Sequence, residues 1–230
     1  MSGPSSAYLD GMFGSTFTQA DHDARMDALL WQNDVESARR QITKTSPEKR
    51  DTYMARLAYL KGDRPQSVGL AIPSSARSDA GFVYNQVRHY RTNRQGSTAV
   101  NLLASRPQFD AIPFDSEKLL IEMLKLARTG NARQAQQIAA KVDDMFEPGV
   151  DIRTKSYRIR DDYTSLMWLG GTKALWSLGD ATAAAPLLYR YGAAFMAILF
   201  TSGLDVGLIM FPLTEFPVYE AETEYAFTNP

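Results

Sequence analysis

The stretch Asp161–Asp180, DDYTSLMWLGGTKALWSLGD, decides the fold class of this 230-residue chain. Wound as a helix, it places Met167, Trp168, Gly171, Ala174, Leu175 and Leu178 within about a third of the circumference. A second stripe, Leu169 and Trp176, falls on the opposite flank. A helix apolar on two flanks is predicted to lie between neighbours on both sides. Gly170-Gly171 costs about 1 kcal/mol per residue relative to alanine inside a helix. The pair therefore predicts close approach of another helix, where a side chain would obstruct. Leu178-Gly179-Asp180 closes the stretch with a C-terminal glycine and an acidic cap for a following helix.

Weaker copies of this pattern fill the rest of the body. Asp21 is expected to cap a helix through DHDARMDALLWQ, with Met26, Leu29 and Leu30 inward, and VESARRQI makes a short antiparallel partner. Ser46-Pro47 opens PEKRDTYMARLAYLKG with a serine cap and proline at the first helical position. The polar run Ser74–Asp79 reads as a loop. After it come GFVYNQVRHYRTNRQG, with Phe82, Val83 and Val87 inward, and STAVNLLASRP, which Pro107 terminates. Ser116 opens EKLLIEMLKLARTG, whose Leu119, Leu120, Met123, Leu124 and Ala127 form one face, and NARQAQQIAAKVDDMF answers it.

The breaks at Asn33, Gly62, Gly96, Gly130 and Gly179 lie 29, 34, 34 and 49 residues apart in turn. Three of these spacings are near the ~34-residue period of tetratricopeptide (TPR) hairpins. No strand pattern of comparable quality appears before residue 194. The expected fold is all-α: a superhelical solenoid of TPR-like helical hairpins with an irregular C-terminal tail. Residues 1–19 are expected to be a flexible lead-in, 20–194 the α-superhelical domain, and 195–230 a divergent tail.

Lys plus Arg number 25 against 26 Asp plus Glu, a net charge of -1. Nucleic-acid binding normally shows a basic excess, so nucleic acid is not the expected partner. The absence of cysteine removes disulfides, thiolate zinc sites and cysteine nucleophiles. His22 and His89, the only histidines, have no second ligand at metal spacing, so no metal and no cofactor is expected. The first twenty residues carry neither a basic n-region nor an apolar h-region. As written, the chain is expected to lack a secretory signal, which points to the cytoplasm.

Over roughly residues 15–194 the chain resembles the α-superhelical region of soluble lytic murein transglycosylases. The likeness rests on DARMDALLWQND with ESARRQI after it, on Asp143-Asp144, and on RDDYTSLMWLGGTKALWSLGDATAAAPLLYRYGAA. In that family the superhelix precedes a lysozyme-like domain, in which one glutamate cleaves the MurNAc–GlcNAc bond of peptidoglycan. The resemblance implies the same superhelical scaffold, a periplasmic setting, and peptidoglycan glycan strands or a protein partner as ligand. The family's catalytic signatures, a Glu-Ser-x-Phe-like context followed by Gly-Leu-Met-Gln-like and Ala-Tyr-Asn-Ala-Gly-like segments, do not occur here. Glu36-Ser37 is the only Glu-Ser pair and reads as a solvated face. The chain is therefore expected to be a truncated, inactive relative with no catalytic residue of its own. The alternative is a stand-alone TPR-like interaction module.

Adjacent carboxylates point about 100° apart on a helix, unlike the facing pair of a glycosidase. Asp161-Asp162 is accordingly expected to serve a helix N-terminus. Two basic-aromatic stretches, YNQVRHYRTNR and RTKSYRIR, offer Arg88, Arg91, Arg158 and Arg160 as contacts for peptide carboxylates of the glycan. A solvated face is the competing and preferred reading. Trp31, Trp168 and Trp176 are assigned to packing. The tail FMAILFTSGLDVGLIMFPLTEFPVYEAETEYAFTNP departs from the family, and three readings are open for it: a frameshifted gene end, which is preferred, a buried or swapped element, or membrane attachment. Asp205, two glycines and Pro212 argue against a good membrane span.

Overall fold

A computed structural model describes residues 16–201, with side chains to 194, together with Tyr8, Gly11, Met12 and Gly14. The described part is all-helical, without a strand. Its helices are α1 (Gln19–Trp31), α2 (Val35–Gln41), α3 (Pro47–Leu60), α4 (Ala80–Thr92), α5 (Gly96–Ser105), α6 (Ser116–Thr129), α7 (Ala132–Ala140), α8 (Tyr157–Thr172) and α9 (Ala181–Thr201). Short 3₁₀ turns join several of them, including Ser74–Ser78, which was expected as a loop. A π-helical turn, Lys173–Ser177, prolongs α8. No helix among the described residues is long and apolar enough to cross a membrane. Helix α9 runs on past residue 194, the predicted end of the helical body, to Thr201. The expected tail beyond that point, and most of the expected lead-in, lie outside the described residues.

The joints between helices follow the predicted breaks. Asn33, Gly62, Arg94 and Gly179 all take positive φ, at 59°, 93°, 60° and 65°. A left-handed residue after a helix lets the next amide reach back and satisfy an orphan carbonyl. Asp34, Asp63 and Gln95 do so, donating to Leu29, Ala58 and Tyr90 at 2.8–3.0 Å. Each of these bonds spans five residues. At the fourth joint Asp180 N–H reaches Ala174, one residue further back, because the π-turn has added a residue. Gly130 differs: its φ is -77°, and its own amide closes α6 on Leu126.

An L-residue is strained at positive φ whereas glycine is not. Arg94→Gly is therefore expected to raise stability by about 0.5 kcal/mol and Gly62→Ala to lower it by about 1 kcal/mol. Urea denaturation followed by circular dichroism reads both, and equal signs for the two changes would refute the strain argument.

Helices pack chiefly on the next helix or the next but one. The largest core cluster joins Trp31 to the inner faces of α4 through α9. Most residues of the apolar faces are buried, among them Met26, Leu30, Tyr53, Phe82, Val83, Val87, Leu119, Leu120, Met123, Leu124, Ala127, Ala135 and Ile138, whereas Leu29, Leu57 and Leu60 are half-buried. Helix α8 lies between α7 and α9, as its double glycine predicts, whereas Trp176 of the second predicted flank is exposed. A Cβ on Gly170 would stand 2.4 Å from Ala139 Cβ of α7, and one on Gly171 would stand 2.7 Å from Leu188 Cδ2 of α9.

Three expectations are corrected. Helix α1 begins on Thr18 rather than Asp21. The Thr18 hydroxyl accepts from Asp21 N–H while the Asp21 carboxylate accepts from Thr18 N–H, a reciprocal box that moves the cap back one turn. Ser156 caps α8, so Asp161-Asp162 sits in the second turn, away from the helix N-terminus. Burial, with Asp161 beside it, raises the Asp162 pKa. Of the three tryptophans only Trp31 packs in the core, stacked on Tyr84 at 4.5 Å. Trp168 and Trp176 are 46% and 73% exposed.

Candidate functional site

The four arginines singled out from sequence lie on two helices, Arg88 and Arg91 on α4 and Arg158 and Arg160 on α8. Arg91, on α4, donates from Nε and Nη2 to both oxygens of buried Glu122 on α6, at 2.6 and 2.7 Å. That paired hydrogen bonding holds the Arg91 guanidinium above its usual pKa. Arg88 donates to Asn33 Oδ1 at 2.7 Å, tying α4 to the first joint. Arg158, on α8, faces Glu117 of α6 at 3.5 Å. Arg160 has its Nε buried without a hydrogen-bond partner. Arg91 and Arg158 thus engage two acids of the same helix, and Glu122 itself is a buried residue in an otherwise apolar face.

Asp143 and Asp144, adjacent in sequence, face opposite ways. Asp144 grips Arg106 through both oxygens at 2.6 and 2.9 Å and accepts from Phe109 N–H. Arg106 is buried, donates also to the Pro107 and Lys141 carbonyls, and lies 3.7 Å over the Phe109 ring. Asp143 accepts from the Tyr163 hydroxyl at 3.0 Å and pairs with Arg190 of α9 at 3.1 Å. Burial, with Asp143 close by, pushes the Tyr163 phenol well above its usual range. Tyr163, Asp143 and Arg190 form one wall of a cleft of about 280 Å³, whose other walls are Phe146, Pro148, Val150 and Ile152.

A second cleft, about 270 Å³, lies between α1, the start of α4 and residues 110–114. Behind it Arg56 is wholly buried and bonded to Asn85 Oδ1 at 3.0 Å and Asp27 Oδ1 at 2.5 Å. Asp79 stands 3.9 Å from the same guanidinium nitrogen and also caps α4 through Phe82 N–H. Arg56 leaves no room at Gly81, where a Cβ would meet its Cζ at 2.3 Å. Its one signal in the sequence is a charge inside the apolar run YMARLAYL. Arg106 carries no comparable signal, since it precedes Pro107 where a helix was expected to stop.

Of the carboxylates lining the two clefts, Asp27 and Asp79 face Arg56 and Asp143 faces Arg190, whereas Asp23 accepts from Ser46 N–H and Oγ–H and Asp110 stands 3.4 Å from the Ser78 hydroxyl. No group of three metal-ligating side chains occurs among the described residues. Glu36, in the only Glu-Ser pair, is exposed and faces Arg39 at 3.7 Å.

A feature absent from the sequence expectations is an aromatic corner on the outer side of α8. Trp168 and Trp176 meet edge to face, with centroids 6.2 Å apart and planes at 84°. Tyr191 of α9 leans on Trp168 at 5.0 Å and 46°. Two α-turns take about seven residues, whereas one α-turn plus a turn closed i→i+5 takes about eight. The π-turn therefore brings residue 176 round beside residue 168. Constant helical periodicity puts the two indoles about 80° apart, on different flanks. No protein-family model, curated protein or solved structure matches the chain.

Proposed function

We propose that this chain is a non-catalytic scaffold, a solenoid of TPR-like helical hairpins similar to the superhelical region of soluble lytic murein transglycosylases. Its ligand in this reading is the glycan of peptidoglycan, and its setting the periplasm. The observation that carries the solenoid reading is the recurring joint: helix, left-handed residue, and an amide closing on the preceding turn, at Asn33, Gly62, Arg94 and Gly179. Helices related in this way stack on near neighbours, and such stacks present extended surfaces for long ligands. The sequence resemblance supplies the choice of glycan.

The expected behaviour is co-sedimentation with purified peptidoglycan and no release of 1,6-anhydro-muropeptides on prolonged incubation. Release of those products would overturn the scaffold reading, and failure to pellet would remove the glycan. A second reading, a protein-interaction module, is favoured by exposed Ile112 and Phe114 beside the carboxylates of the cleft behind which Arg56 lies. Recovery of one stable protein partner, with binding lost in Phe114→Ala, would favour this reading over the glycan.

A further inference from the structure

Tryptophan is the residue a folded chain has most reason to cover, and indoles are mostly buried on average. Two of them left open on one helix, in contact with each other, need an explanation beyond a scattered surface residue. The geometry is specific. A π-turn, a form that interrupts regular helices and is frequent at functional sites, is what sets Trp176 beside Trp168. The rings stand nearly perpendicular, so the open face of one and the edge of the other form an L-shaped corner, backed by Tyr191. Lys173, exposed in the same turn, supplies an ammonium donor within the segment.

The size of the surface selects the occupant. At 46% and 73% exposure the two indoles offer on the order of 300 Å². A stable protein interface takes about 800 Å² from each partner, spread over roughly 20–30 residues, so the two indoles alone would form only part of one. A single pyranose ring fits that scale. One face of such a ring carries axial C–H bonds with partial positive charge, which meet the negative face of an indole. Its equatorial hydroxyls project outward, where water can satisfy them.

We propose that the Trp168–Trp176 corner is a sugar-binding subsite that stacks one pyranose of a glycan strand, with Trp176 as platform and Trp168 as side wall. This rests on the glycan-scaffold reading above and assigns it a location. The corner supplies no bond-breaking group, so its contribution is binding alone.

The probes are the soluble tetramer of N-acetylglucosamine, followed by calorimetry, and whole peptidoglycan, followed by co-sedimentation. Trp176→Ala is expected to weaken tetramer binding about tenfold or more, as removal of an aromatic anchor does. Trp176→Phe is expected to retain part of the affinity. Trp176 is largely exposed, so the thermal midpoint of both variants should match the parent, and Trp31→Phe should leave binding unchanged. If the parent pellets with peptidoglycan and Trp176→Ala pellets equally, the corner is excluded while the glycan reading stands. If the parent neither pellets nor binds the tetramer, both fail together. A concentration-dependent increase in mass that Trp176→Ala abolishes would make the corner a self-association patch and overturn the proposal.

Discussion

Asp144→Ala is expected to lower the unfolding free energy by about 3 to 5 kcal/mol, the usual consequence of stranding one partner of a buried ion pair. The side chains of Arg106 and Asp144 are both almost fully covered. Without the carboxylate, the guanidinium keeps only the Pro107 and Lys141 carbonyls. Its Nε already lacks a partner, and Phe109 N–H would lose its acceptor as well. Lys141 aggravates the loss. Its ammonium sits against the Ala104 and Arg106 carbonyls, and burial, with Arg106 nearby, already depresses its pKa. Two cations would then share a covered site without an anion.

The double change Arg106→Met with Asp144→Leu should recover most of the loss, because an apolar pair carries no desolvation cost. Urea denaturation of the parent, both single variants and the double variant gives the coupling directly. A single-variant loss below about 1 kcal/mol would show that water reaches the pair.

Gly170→Ala is expected to destabilise by about 2 kcal/mol, opposite in sign to what helix propensity alone predicts. Alanine gains about 1 kcal/mol over glycine within a helix. Against this, the new methyl would lie 2.4 Å from Ala139 Cβ and 3.2 Å from Leu187 Cδ1. The Ala139 methyl is fixed directly to the α7 backbone, so relief requires α7 and α8 to separate, and overpacking of this kind costs about 1 to 3 kcal/mol or more. Gly171→Ala is the internal control. Its methyl meets Leu188 Cδ2 at 2.7 Å and Cγ at 2.8 Å, atoms that a rotation about χ1 of Leu188 can move, so the net change should stay within about 1 kcal/mol of zero. Ala139→Gly combined with Gly170→Ala should regain most of the lost stability. If Gly170→Ala stabilises the protein, the close approach of the two helices is wrong.

The helices were legible from local chemistry. Alternating apolar faces, Pro47 at a first helical position and glycines at the breaks each act over a few residues, which is the range a sequence pattern captures. The double glycine also announced the contact between α7 and α8, because nothing else justifies its cost. The solvent-facing chemistry was less legible. Arg91 looked available because its acceptor, Glu122, lies 31 residues away inside a face that reads as apolar. Arg106 and Asp144 are 38 residues apart, and no spacing rule connects them. Thr18 was passed over because Asp21 is an equally good capping residue, and only the reciprocal bonds decide between them. Trp176 was misplaced for a geometric reason, since a constant 100° step cannot anticipate a turn with an extra residue; Trp168 lies before that turn.

That extra residue separates two demands that a regular helix would have to meet together. Met167, Gly170, Gly171 and Ala174 remain on the packing side, and Gly179 still closes the joint to α9. Only the outward azimuth of the final turn has changed. A single residue gained or lost within Lys173–Ser177 therefore works as a phase adjustment. It can turn Trp176 toward or away from Trp168 while Gly170 and Gly171, upstream of it, keep their register against α7 and α9. Where helices pack on near neighbours, surface chemistry can in this way vary with little change to the packing beneath it.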